Sequence, residues 1–135
     1  KARFYTKTRG GFKQAISVNN QYKLAGGGYL STASDIGKLG MAILEGKLVR
    51  PDLMGEILTS PKVNGKATYY GLGFQVSQDG QGKPFVGHVG SSIGAYSNLF
   101  VYPKEEIVIA ILVNCTDPKV QDELHAIVKY LVENY

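Results

Sequence analysis

The 135-residue sequence predicts an α+β domain, an antiparallel sheet flanked by helices. Two observations carry this. Residues 69–114 break into four short runs rich in Val, Ile, Tyr and Phe, separated by Gly, Pro and charged residues, as strands joined by turns are. Around them, segments 33–45, 51–60 and 117–135 space apolar residues three and four apart, which gives a helix one buried face.

Taken in order, residues 3–18 read as a hairpin around "TRGG", with Gly10 and Gly11 in the turn and Phe4, Phe12 and Ile16 as apolar contacts. "LAGGGYLSTASD" follows. Its three consecutive glycines reject regular structure and suit a turn. No Gly-Lys-Ser/Thr follows them, so they do not form a phosphate loop. A helix starts after Thr32, which can cap it, with Asp35 in the first turn. Ile36, Leu39, Ile43 and Leu44 form its apolar face, and Gly46 suits its end. The next helix places Pro51 at its first position and buries Leu53, Met54, Ile57 and Leu58; Pro61 ends it.

Four strands are expected at 69–77, 83–90, 96–103 and 106–114, with Gly71 and Gly73 weakening the first and "PKEE" turning into the last. The closing helix is expected from Asp117 as N-cap and Pro118 at N1, with a stripe through Val120, Leu124, Ile127, Val128 and Leu131. His125 lies beside that stripe as a boundary or surface residue. Residues 107–113 are apolar on both alternating faces, the pattern of a central strand covered on both sides. Such a strand needs a hydrogen-bonding neighbour along each edge. Strand 96–103 supplies one. The other is expected in an N-terminal part of the domain, which makes residues 1–135 the C-terminal part of one domain.

Composition narrows the function. The net charge is +4, with Lys and Arg scattered and no basic stripe interleaved with aromatics, which argues against nucleic acid as a partner. No apolar run approaches the ~20 residues of a membrane span. No signal peptide is visible, and the chain does not begin with Met. Cys115 is a lone cysteine that ends an apolar strand and reads as a buried thiol; it excludes an internal disulfide and leaves the compartment open.

The most suggestive chemistry lies in "GHVGSSIGAYSNLFVYP", residues 87–103. Gly90, Ser92 and Gly94 spell G-x-S-x-G. A nucleophile elbow needs a helix directly after the serine, yet "AYSNLFVYP" is aromatic, β-branched and ends in proline. Ser92, Asp117 and His125 occur in hydrolase order, but Asp117 reads as a helix cap. The elbow therefore fails its context.

A second reading comes from the ordered set "YKLAGGGYLSTASDIGKLGMAILEGKL", "GLGFQV", "FVGHVGSSIGAYSNLFVYP" and "IVIAILVN". It resembles the C-terminal half of the serine β-lactamase and penicillin-recognising family. That family includes class C β-lactamases, D-alanyl-D-alanine carboxypeptidases, related esterases and mitochondrial β-lactamase-like proteins. The likeness covers roughly residues 2–115, and its opening looks most like the last group.

The resemblance implies an acyl-enzyme hydrolase acting on amides or esters, with no metal and no cofactor. The family's nucleophile belongs to a Ser-x-x-Lys helix near a Tyr-x-Asn motif. No Ser-x-x-Lys occurs here, so this chain alone is expected to be inactive. His88-Val89-Gly90 matches the third family motif, Lys/His-Thr-Gly. The implied catalytic residues are His88, as a positive or hydrogen-bonding group, and Ser91, whose backbone N–H is one of two oxyanion donors. Removing one such donor typically costs about 2.7–4 kcal/mol of barrier lowering. Val89, Gly90 and Ser92 are the implied substrate-binding residues. Val89 replaces a threonine whose hydroxyl helps hold a substrate carboxylate, which points away from β-lactam or D-Ala-D-Ala recognition and towards a different acyl substrate or lost activity. The implied partners are an acyl substrate and the missing N-terminal part. The family favours a periplasmic or secreted location. A non-catalytic alternative is association through the edge of strand 107–113, with a second copy as partner.

Overall fold

In the computed structural model, which describes residues 2–135, the centre is a four-stranded antiparallel sheet in the order β5-β6-β7-β8. These strands are Gln75–Gln78, Pro84–Ser92, Ala95–Tyr102 and Ile107–Val113. The last three match the expected strands to within two residues at each end. The sheet's two faces carry different cores. Val86, Leu99 and Val101 pack with Ile43 and Met54 from α1 (Ala33–Leu44) and α2 (Pro51–Ile57). Phe100, Tyr102 and Ile109 pack on the opposite face with Val128 and Val132 of α3 (Gln121–Asn134). The apolar alternation of β7 and β8 on both faces follows from this double cover.

β8 is bonded to β7 along one edge, and among the described residues no strand lies along the other. The chain then continues into β9 (Cys115–Thr116), which pairs in parallel with β1 (Tyr5–Thr8). β1 in turn forms the expected hairpin with β2 (Gly11–Gln14). Cys115 is buried there. A separate small hairpin joins β3 (Lys62–Val63) to β4 (Lys66–Ala67).

α1 begins where its cap predicts: Asp35 N–H donates to Thr32 Oγ1 at 3.1 Å. The Thr32 hydroxyl first, and then Lys38, hold the Asp35 carboxyl below its ordinary range. The helix approaches the sheet through Gly40. A Cβ built on it would meet Val108 Cγ1 at 2.4 Å and Leu99 Cδ1 at 3.0 Å, so any larger residue would force these side chains to shift.

Several expectations need correction. Leu39 is exposed, because the close face of α1 turns on Gly40 and Ile43 instead. α2 ends at Ile57, not residue 60, and Leu53 is exposed. Phe12 and Ile16 are exposed, because the β1–β2 hairpin has an open outer face. Asp117 is not the cap of the last helix. Asp117 and Lys119 have φ of 42° and 56° and pair with each other at 2.7 Å, and the helix starts only after Val120, with no side-chain cap. Ile127 faces outward.

The first expected strand, 69–77, is mostly a turn. Only Gln75–Gln78 pairs with β6, while Tyr70 makes an isolated bridge back to Gln75. Gly73 has φ 85°, and a Cβ on Gly71 would stand 2.1 Å from Ile57 O. These glycines let the loop press its backbone against the end of α2, where Leu72 N–H donates to Ile57 O at 2.9 Å.

Candidate active site

β5 pairs with only the first half of β6; its last pair is Gln75 with Gly87. Residues 88–92 therefore have β7 on one side and, among the described residues, no strand on the other. Asp79 N–H donates to Lys83 O at 2.9 Å, which sets the phase of the ladder: odd-numbered residues of β6 turn their main-chain groups towards the β5 side. Beyond Gly87 that side is open. Val89 and Ser91 thus present their N–H and C=O groups at the free edge, and Ser91 is exposed there.

Side chains follow the other alternation. His88, Gly90 and Ser92 lie on the face that carries α1 and α2, opposite Leu99, Ser97 and Ala95 on β7. Val89 and Ser91 lie on the α3 face, opposite Asn98 and Tyr96. The structure thus brings His88, Gly90 and Ser92 into one row, with the Ser91 main chain at the adjacent edge. The Val89 side chain belongs to the opposite face.

His88 is held at both ring nitrogens. Nδ1 lies 2.7 Å from Val89 O. A carbonyl can only accept, so Nδ1 is the donor; Nε2 meets the Tyr70 hydroxyl, and in the neutral ring it is the acceptor of that bond. The two rings meet edge to face, with centroids 5.7 Å apart and planes at 86°. Tyr70 is the residue of this candidate site that sequence reading missed. Its segment has the composition of a strand, and its approach to His88 depends on the turn at Gly71–Gly73.

A cavity of about 520 Å³ adjoins this row. Gly90, Ser92 and Ser97 contribute its sheet wall, and Leu30 and Ile36 part of its apolar wall. Lys23 is the one charged residue among the described residues lining it.

Ser92 is not a nucleophile elbow. It closes β6, and Ile93-Gly94 form a two-residue turn into β7, with Gly94 at φ 78°. A hairpin stands where a helix would be required. His125 lies exposed on α3, and among the described residues no hydrogen bond joins it to Ser92. The described residues bring together no cluster of three or more His, Cys, Asp or Glu. No helix among them is long and apolar enough to cross a membrane.

The sequence matches the family described as Beta-lactamase over residues 1–132. Its fold is similar to that of a D-stereospecific amidohydrolase from Streptomyces sp., with a TM-score of 0.68 and 24% identity over 84% of this chain and 35% of that one. It is also similar to a penicillin binding protein from Bacillus halodurans, with a TM-score of 0.71 and 24% identity over 96% of this chain and 40% of that one. The chain therefore spans well under half the length of either. No curated protein matches it.

Proposed function

Because the chain belongs to the β-lactamase family, we propose that the open edge of β6 is one wall of a serine acyl-transfer site that hydrolyses amides or esters through an acyl-enzyme. The single observation that carries this reading is the joint placement of His88 and the Ser91 N–H where the pairing of β6 with β5 stops. A substrate carbonyl laid along that edge meets the Ser91 N–H as an oxyanion donor. The imidazole and the Tyr70 hydroxyl stand at one end of it. Gly90 keeps the strand surface low, Ser92 lines the adjoining cavity, and Val89 contributes its carbonyl, which holds the His88 ring.

The nucleophile and its base belong to polypeptide outside these residues, since no Ser-x-x-Lys occurs among them. Residues 1–135 then act as the C-terminal part of a single domain, and an oxyanion donor without a nucleophile gives no turnover. A chromogenic ester or β-lactam tests this. The 135-residue chain should be inert, the polypeptide that includes a Ser-x-x-Lys segment active, and His88→Ala should lower that activity. Hydrolysis by the 135-residue chain alone overturns the reading.

The open edge of β8 favours a second reading, a non-catalytic module that pairs with a second copy along Ile107–Val113. Sedimentation across a concentration series separates the two. Dimerisation with no activity in any longer polypeptide supports the module.

A further inference from the structure

We propose that Tyr70 is the positioning residue of His88: its hydroxyl holds the imidazole in the Nδ1-protonated tautomer, and so decides which atom this end of the β6 edge offers to a ligand. A neutral imidazole free in water carries its proton mainly on Nε2. Here the Val89 carbonyl can only accept from Nδ1, at 2.7 Å, which in the neutral ring leaves Nε2 to accept from the Tyr70 hydroxyl, and each bond enforces the other. Both ring nitrogens are thereby engaged within the protein. The hydrogen-bonding capacity left for a ligand is that of the Tyr70 oxygen, with the imidazole behind it.

Tyr70 is itself held firmly. Thr68 Oγ1 donates to Tyr70 O at 3.0 Å, and Tyr70 bridges to Gln75. The preceding residue, Tyr69, has φ 57°, a conformation unfavourable for a bulky side chain. It persists because Tyr69 N–H donates to Ser60 Oγ at 2.8 Å and Tyr69 O accepts from Val76 N–H at 3.0 Å. The role of this pair in acyl transfer rests on the reading above; the tautomer does not.

Nitrogen-15 NMR of the imidazoles in the 135-residue chain, recorded well above the ordinary imidazole titration range, tests it. There are two histidines, and His125, exposed on α3, is the internal reference. His88 should be protonated at Nδ1, and His125 should show the solution preference. Tyr70→Phe keeps the ring and removes the hydroxyl. It should shift the His88 tautomer ratio about fivefold towards Nε2–H, the size of one ordinary hydrogen bond, and leave His125 unchanged. A wild-type His88 protonated at Nε2, or a ratio unmoved by Tyr70→Phe, overturns the proposal. If the variant fails to fold, the wild-type spectrum alone still overturns the proposal should it show His88 protonated at Nε2. Neither outcome involves hydrolysis, so failure here and failure of the acyl-transfer reading are distinguishable.

Discussion

Gly90 faces Ser97 across the β6–β7 ladder, and a Cβ on Gly90 would stand 2.5 Å from Ser97 Oγ. The obstacle is the end of a rotatable side chain. At Gly87, three residues earlier on the same strand, the obstacle is backbone: a Cβ would lie 1.9 Å from Leu99 O. The same substitution should therefore give two results. Gly90→Ala turns the serine aside and changes stability by less than about 1 kcal/mol, while Gly87→Ala must push β7 away and costs about 2–3 kcal/mol or more. Urea unfolding of both variants checks the contrast. Equal costs would mean that the two approaches are not different in kind.

Val89 and Asn98 face each other on the α3 side as a non-hydrogen-bonded pair, the arrangement that brings cross-strand side chains closest. Asn98 is buried and its Oδ1 has no hydrogen-bond partner among the described residues. A threonine at 89 would carry a hydroxyl donor to that oxygen. Val89→Thr should accordingly show a favourable coupling of about 1 kcal/mol with Asn98 in a double-mutant cycle that uses Asn98→Leu. No coupling would show that the hydroxyl does not reach Asn98.

The central strands and α1 were legible because their signals are local: β-branched runs of strand length, and a Thr32 cap followed by a 3.6-residue period. The motif His88-Val89-Gly90 was likewise legible as a strand, and the family likeness placed it at a cleft. The rest is decided by contacts distant in sequence. Tyr70 reads as a strand residue until Gly71 is seen pressing on Ile57 O. Leu39 satisfies the helical stripe, but the sheet comes so close at Gly40 that the stripe rotates away from it. Asp117-Pro118 has the form of a helix start, yet β9 pairs with β1 immediately before it, and the chain needs a left-handed excursion at Asp117 and Lys119 before α3 begins.

Tyr102, 1% exposed, has its phenol pushed up to about 12, by burial first and then by the charges of Asp79 and Glu105. The unfolded chain loses this proton near pH 10. Below pH 10 both states hold it, and the contribution to stability is complete. Between about pH 10 and 12 only the folded state keeps it, so stability falls as pH rises, by roughly 3 kcal/mol over the two units. Phenolate absorbance should show a late step for Tyr102, with its midpoint at about 12. Glu105→Gln should bring that late step to lower pH. A native protein with no tyrosine titrating late contradicts this.

Lys83 ties the β5–β6 turn to the last turn of α3. Its Nζ donates to Val132 O at 2.7 Å, and Glu105 lies 3.9 Å away. The last carbonyls of a helix have no partners within it and carry the negative end of its dipole, so a cation there is favourable twice over. The Lys83 side chain is 29% exposed, so solvent screens this bond only in part. Lys83→Met keeps the aliphatic stem and removes the charge and the donor, and should cost about 1–2 kcal/mol. Gln81 makes a second tie, from Nε2 to Glu133 Oε1, but at an exposed position. Gln81→Ala should cost less than about 0.5 kcal/mol. Amide hydrogen exchange locates the effect: in Lys83→Met, protection should fall in the last turn of α3 and remain in β6–β8. Uniform loss across the sheet would instead show that Lys83 supports the whole core, and unchanged exchange at 130–134 would show that the tie is not made in solution.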